Sequence, residues 1–201
     1  MAPEAQKSMR GFVASQKAGN GYRNAGGKED LYYKQFGELL EAVFNPFMLF
    51  HLSPTITVPE SKGKDTVYGR FFEFLEMDAH FKRPKDFMVN EQKVMTTNAC
   101  CCLLAMQYQT NGEFDTNLVA WLQERQDATG GFYANEQVPV PDMLSTAVAL
   151  FTLRLVGAEV KDATDFIHAH WLDNGGVAPT ILDDYSDVEY VFYGLLALGS
   201  K

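Results

Sequence analysis

A segment of about 45 residues recurs along this chain, and this recurrence constrains the fold more than any other feature. In the last copy, Gly175-Gly176 precede Asp187 and an apolar stretch. In the copy before it, Gly130-Gly131 precede Asp142 and a similar stretch. The second glycine and the aspartate are 11 residues apart in both copies, and the two aspartates are 45 apart. A fixed period of this size is typical of repeat architectures.

Two further copies lie nearer the N-terminus. One contains Gly21 and Asp30 and aligns without a gap with the last copy from Asp30 to Gly37, whereas the other is degraded and has Thr96 in place of the aspartate. We therefore predict one domain over residues 1–201. It contains four units, at about 8–44, 67–107, 116–156 and 163–199, with an irregular, proline-containing excursion at 45–65.

Each unit has the pattern of two helices. Apolar residues recur three and four apart in both halves of a unit, and no segment of useful length alternates as a half-buried strand does. The second helix begins at Asp30, Asp142 or Asp187, where a carboxylate can cap free backbone N–H groups. The fold class predicted is all-α, with repeated helical hairpins whose second helices form an inner layer and whose first helices form an outer layer.

The eighth place of the second helix holds a small residue in three units, namely Gly37, Ala149 and Gly194. We expect these residues to let a neighbouring helix approach closely. The glycine pairs before the second helix are expected to reverse the chain, since a sharp turn needs positive φ.

Charge and hydropathy exclude several classes of function. A net charge of −9 argues against binding of a nucleic-acid backbone or an anionic membrane, because both need clustered cations. No apolar run reaches the length of a membrane span, and the N-terminal residues have no apolar signal core. We expect a soluble, cytoplasmic protein whose consecutive cysteines, Cys100 to Cys102, are free thiols that fill the core.

The repeats resemble a known family. The segment Gln126 to Phe132 followed by Asp142, and the segment Asn174 to Gly176 followed by Asp187 and the stretch 192–198, are similar to the repeat of protein prenyltransferase β subunits and terpene (squalene-type) cyclases. The resemblance implies an α/α toroid or partial toroid, in which inner helices surround a central apolar cavity. It also implies that isoprenoid substrates lie among aromatic side chains of the inner helices.

The catalytic motifs of that family are absent from the matching positions. Prenyltransferases hold zinc with Asp-x-Cys at the start of one inner helix and Asp-x-x-His at the start of the next, where this chain has Leu144 and Tyr190 in place of the Cys and His. Neither is a useful zinc ligand. The Asp-x-Asp-Asp acid of the cyclases has only a wrongly spaced counterpart at 183–187. We therefore predict no metal site and no cofactor, and catalysis is left open.

The candidate site is formed by places that would converge in a toroid, chiefly three and six residues after each aspartate. Helical spacing alone would equally fit a packed core. The function predicted is the binding of an apolar, isoprenoid- or lipid-like ligand in a central, aromatic-lined cavity. The ligand-binding candidates are Tyr33, Phe36, Ser145, Glu189, Tyr190 and Tyr193.

Two alternatives remain open. The chain could be a non-enzymatic interaction scaffold or a subunit of a larger assembly, in which a homodimer or a partner protein covers the first and last hairpins. It could also be an enzyme with an unrecognised site that uses Glu189, Asp142 or a histidine.

Overall fold

A computed structural model describes residues 1–45 and 96–200, apart from the side chains at 106 and 109–111. Within these ranges the chain is mostly helical, which confirms the all-α class coarsely. The first part of predicted unit two, at 67–95, and the excursion beyond Asn45 lie outside the described residues. The helices are α1 Pro3–Ser15, α2 Leu31–Phe44, α3 Thr97–Asn111, α4 Thr116–Gln123, α5 Met143–Leu155, α6 Thr164–Ala169 and α7 Val188–Ser200.

A small antiparallel sheet between α1 and α2 corrects the prediction that no strands form. Its strands, β1 Lys17–Ala18, β2 Gly21–Arg23 and β3 Glu29–Asp30, pair in the order β1-β2-β3. They are too short to produce an alternating pattern in the sequence. In the parts of the chain that the structure covers, no helix is both long and apolar enough to cross a membrane.

The strand pairing belongs to the repeat rather than to the first unit alone. Tyr22 pairs with Asp30 across β2 and β3, and Phe132 forms the same bridge with Asp142 in unit three. The pairing of Lys17 with Tyr22 likewise has counterparts in the bridges Gln126 to Phe132 and Trp171 to Val177. The glycine turns of the units are therefore closed by equivalent backbone contacts.

The inner helices begin at capping side chains, as predicted. Each aspartate, and Thr96 in the degraded unit, accepts a hydrogen bond from a backbone N–H two or three residues later, which satisfies one of the free donors of the first turn. The donor–acceptor pairs are Tyr32 to Asp30 at 2.9 Å, Ala99 to Thr96 at 3.2 Å, Ser145 to Asp142 at 2.7 Å and Tyr190 to Asp187 at 3.1 Å.

The second helices of the units pack side by side in the order α3, α5, α7, α2. The first helices contact this row, with α1 against α2 and α7, α4 against α3, and α6 against α7. Most of α5 is buried, as an inner helix with neighbours on two sides requires. The first and last hairpins therefore contact each other, and the expectation that a homodimer or a partner protein covers them stays a prediction.

Successive units meet through equivalent glycines with positive φ. Gly130 has φ of 92°, and a Cβ there would overlap the backbone of Asp162 and Ala163 at the start of unit four. Gly175 has φ of 88°, and a Cβ there would lie 2.5 Å from the backbone of Ser8 at the start of unit one. We call this close approach of a glycine to the backbone of the next unit a joint. The joint between units three and four thus recurs between units four and one.

The two glycines at the eighth place, Gly37 and Gly194, have a different neighbour from the one predicted. A Cβ at Gly37 would overlap the ring of Tyr22, and a Cβ at Gly194 would lie 2.9 Å from the side chain of Val177. Tyr22 and Val177 are the residues that follow the glycine turns of the same units. The close approach is therefore made by the turn of the unit and not by a neighbouring helix.

Candidate functional site

A hydrogen bond joins the first turns of the first and last inner helices. Tyr32 and Glu189 both lie two residues after the capping aspartate of their unit, and the Tyr32 hydroxyl donates to Oε1 of Glu189 at 3.0 Å. Glu189 is 8% exposed. Burial, together with the charge of Asp187, raises the pKa of Glu189 to about 7, although the hydrogen bond from Tyr32 acts in the opposite direction. This carboxyl group therefore titrates near neutral pH.

A second tyrosine faces the capping aspartate of the last unit. The side chain of Tyr33 lies beside the carboxylate of Asp187. Burial raises the pKa of the Tyr33 hydroxyl, and the charges of Asp187 and Glu189 raise it further. Burial also raises the pKa of Asp187, and its backbone hydrogen bonds only partly offset that effect.

Tyr190 occupies the equivalent place in unit four. Tyr190 stands three residues after Asp187, as Tyr33 does after Asp30, and its pKa is raised by burial and then by several charges that include Asp142 of the preceding unit. Burial raises the pKa of Asp142 as well. We call the group formed by these side chains the carboxyl–tyrosine cluster, which comprises Tyr32, Tyr33, Asp142, Asp187, Glu189 and Tyr190.

An aromatic layer lies beside the carboxyl–tyrosine cluster. The ring centroid of Phe36 is 5.3 Å from that of Tyr32, 5.4 Å from that of Phe192 and 5.9 Å from that of Tyr193. Phe36 is fully buried, and Tyr193 is 1% exposed. The two residues six places after their aspartates therefore do converge, and they pack in the core. Their predicted part in ligand binding stays a prediction.

The remaining candidates lie at the start of α5. Ser145 is buried, and its side chain lies beside the carboxylate of Asp142, which caps its N–H. Leu144, at the position of the family's thiolate, is only partly buried. Among residues 1–45 and 96–200, no three His, Cys, Asp or Glu side chains are placed to hold a metal ion.

Two clefts lie between successive units, at equivalent positions. Tyr185 and Ser186 line one of them and stand 45 residues after Val140 and Pro141, which line the other. None of the predicted ligand-binding residues lines either cleft. The cleft between units four and one has a volume of about 450 Å³ and is lined by Gln16, residues 23–25, Gly27, Tyr185 and Ser186. The cleft between units three and four has a volume of about 340 Å³ and is lined mainly by Val140, Pro141, Phe166, Ala169 and Ile181, with His170 and Asp127 among its polar residues.

The three cysteines are buried, and so is His170. Burial raises the pKa of Cys100 and of Cys102 to about 12, so neither is a thiolate at neutral pH. All three cysteines are buried and free, as predicted. His170 stacks on Phe166, and burial lowers its pKa. Its Nδ1 lies 2.7 Å from the Phe166 carbonyl oxygen, a distance that suits donation by the ring N–H.

Sequence reasoning missed the role of Tyr32, although its alignment with Glu189 at the same place in the two units was visible. It also missed the cleft at Arg23, because Arg23 lies in a turn without periodicity, and such a residue does not indicate which other unit it will lie against.

Models of known protein families give no match to this chain, and the curated proteins give none either.

Proposed function

We propose that this chain is an α/α-toroid-like repeat domain, similar to those of prenyltransferases and terpene cyclases, that binds an apolar, isoprenoid- or lipid-like ligand against the carboxyl–tyrosine cluster. The observation that carries the proposal is the 3.0 Å hydrogen bond between Tyr32 and Glu189. It brings a buried carboxyl group that titrates near neutral pH among aromatic side chains, at the ends of inner helices from the first and last units.

The arrangement of the units supports a ring. Unit four is joined to unit one through Gly175 as unit three is joined to unit four through Gly130. A joint that repeats with the same geometry turns the chain by a similar step each time, and such steps lead to a closed or nearly closed array. In a ring the first turns of the inner helices face a shared central space, so the carboxyl–tyrosine cluster would border that space.

The surface at these helix ends suits an apolar ligand. Tyr32, Tyr33, Leu144 and Tyr190 are packed against the core yet only partly buried, so apolar side-chain surface remains accessible there. The tyrosine hydroxyls provide a few polar contacts on an otherwise apolar surface, which is the usual composition of a ligand site.

The titration of Glu189 gives the proposal a specific signature. An apolar ligand that covers this carboxyl group would disfavour its charged form. Because the pKa of Glu189 is already about 7, binding would favour uptake of a proton. Affinity is therefore expected to be higher at pH 6 than at pH 8, and Glu189→Gln, which is neutral throughout, should remove the difference.

The experiment is a calorimetric titration with farnesol and geranylgeraniol at pH 6 and pH 8. Leu144→Glu, which places a charge on the partly buried surface, should weaken binding more than tenfold, since burial of an unpaired carboxylate is unfavourable. The matched control is Leu182→Glu, at a side chain that is 77% exposed on another loop. Absence of saturable binding to the wild-type chain, or equal binding by both variants, would show that the proposal is wrong.

A second candidate function has one observation in its favour. Ile181, Leu182 and Tyr185 are 55%, 77% and 46% exposed within five residues of one loop. Neighbouring exposed apolar side chains are typical of a surface that binds another protein. Light scattering during size-exclusion chromatography checks self-association: a dimer that Leu182→Ser dissociates supports the scaffold, and a monomer at high concentration contradicts self-association.

A further inference from the structure

The cleft between units four and one contains an arginine without a partner among the described residues. Arg23 ends β2, and its backbone N–H donates to the carbonyl oxygen of Gln16 at 2.8 Å. Its backbone is therefore fixed at the wall of the cleft. Its guanidinium group forms no hydrogen bond and no ion pair with any side chain of residues 1–45 or 96–200.

The acid opposite Arg23 interacts elsewhere. Glu29 is the strand partner of Arg23 in the sheet, which is the position from which a carboxylate normally pairs with a cation. Its Oε1 instead accepts a hydrogen bond from the Asn20 N–H at 2.8 Å, and the carboxylate lies close to Gly19. Among residues 1–45 and 96–200, no side chain therefore occupies the N–H donors of the Arg23 guanidinium group, in a chain whose net charge is −9.

The residues of unit four that line the cleft, Tyr185 and Ser186, carry no positive charge. Tyr185 is 46% exposed and presents an aromatic ring beside Ser186. The charges of Asp183 and Asp187 act on the Tyr185 hydroxyl and add to the effect of burial in raising its pKa. The lining of the cleft thus combines a cation from unit one with an aromatic side chain from unit four, on which the charges of two aspartates act.

This polarity selects the class of ligand. A guanidinium group matches a carboxylate in two parallel hydrogen bonds. The aspartates near Tyr185 would repel a second anionic group, so a polyanion fits poorly. A volume of about 450 Å³ is sufficient for a small organic molecule.

We propose that the cleft between units four and one binds a small organic acid, with its single carboxylate on Arg23 and its aromatic or apolar body against Tyr185. This site is separate from the carboxyl–tyrosine cluster. It neither requires nor contributes to the binding of an isoprenoid-like ligand.

The test is a titration of the wild-type chain with phenylacetate, in which binding is detected by calorimetry or by saturation-transfer NMR. Saturable binding is expected, and Arg23→Gln should weaken it about tenfold or more, because a charge-assisted pair of hydrogen bonds is lost. Arg23→Lys should fall between the two, since it retains the charge without the planar pair of donors. The control variant is Lys28→Gln, which removes an exposed cation of the same hairpin that does not line the cleft.

Any one of three results would overturn the proposal. The first is an absence of saturable binding to the wild-type chain, and the second is equal weakening by Arg23→Gln and Lys28→Gln, which would indicate only general electrostatic attraction. The third is that the neutral analogue phenylacetamide, or inorganic phosphate, binds as tightly as phenylacetate. Circular dichroism melting of each variant checks that a loss of binding is not a loss of fold.

Discussion

The hydroxyl group of Tyr32 lies 3.0 Å from Oε1 of Glu189, although 157 residues separate the two in the chain. Both residues occupy the same place in their units, two residues after the capping aspartate. The contact therefore connects equivalent positions of the first and last repeats, and it explains why a carboxyl group can be buried there.

Glu189→Gln should change how stability depends on pH. The pKa of Glu189 is raised from 4.5 to about 7 in the folded chain, so the folded state binds the proton more tightly than the unfolded state. Stability from this group is fully present below about pH 4.5 and is lost as the pH rises through 7. The neutral glutamine should therefore be more stable than the wild type by about 1 to 3 kcal/mol at pH 8, with little difference at pH 4.5.

Urea denaturation at a series of pH values measures this effect. Asp142 and Asp187, whose pKa values burial also raises, add a background that both proteins share. Identical pH slopes for the wild type and Glu189→Gln would contradict the assignment.

Tyr32→Phe should lower stability at high pH, because it removes a hydrogen bond to the charged carboxyl group of Glu189. The Tyr32 hydroxyl donates to Glu189 and lowers its pKa, so its removal should raise that pKa further. We expect a loss of about 1 to 3 kcal/mol at pH 8, where Glu189 is charged, and a smaller loss at pH 5. The pH midpoint of Glu189 by carbon-detected NMR reports the shift directly. A midpoint that does not move would remove Tyr32 from this role.

Alanine substitutions at three helical glycines should give three different results. Gly37→Ala should cost about 2 to 3 kcal/mol, because the new methyl group overlaps the buried ring of Tyr22, whose hydroxyl is held by Glu41. Gly194→Ala should cost about 1 kcal/mol, since only Val177 must shift. Gly11→Ala meets nothing within 4 Å and should stabilise the chain by about 0.5 to 1 kcal/mol. Thermal and urea unfolding give the ranking, which equal effects at positions 37 and 11 would contradict.

Alanine at the inter-unit glycines should cost more than backbone strain alone. Gly175 and Gly157 have similar φ values of 88° and 71°, but only the methyl group at Gly175 meets the backbone of another unit. Gly157→Ala therefore measures the strain of a left-handed residue, about 1 to 2 kcal/mol. Gly175→Ala, and likewise Gly130→Ala, should exceed that value by about 1 to 3 kcal/mol. If the variants at positions 157 and 175 unfold at the same urea concentration, the joint between units four and one is not as described.

Much of the local structure could be predicted because it depends on short-range patterns. The capping roles of Asp30, Asp142 and Asp187 follow from their positions before apolar helices, and the structure confirms them. The helix boundaries in the described ranges agree to within a few residues, except that α1 begins five residues earlier than predicted. Phe36 and Tyr193 are in contact, but they pack in the core, which is the alternative that helical spacing alone fits equally well.

The structural features that sequence reasoning missed depend on which segments of the chain pack against each other in the fold. A small residue at position 37 indicates that something approaches, but it does not say that the neighbour is Tyr22 of the same unit. The three short strands close the glycine turn through backbone bonds, which leave no trace in the order of side chains. The pairing of Tyr32 with Glu189 required knowledge that unit one follows unit four in space.

The packing of α2 against α7 has a consequence for the order of events during folding. Most repeat arrays grow by adding each hairpin to the one just completed, so their contacts stay local and form fast. Here the first inner helix acquires α7 as a neighbour only after all the residues between the two helices have been synthesised. Bringing such distant segments together carries an entropic cost before any contact compensates it. The docking of the N-terminal hairpin onto the C-terminal one should therefore be the slow, final step of refolding.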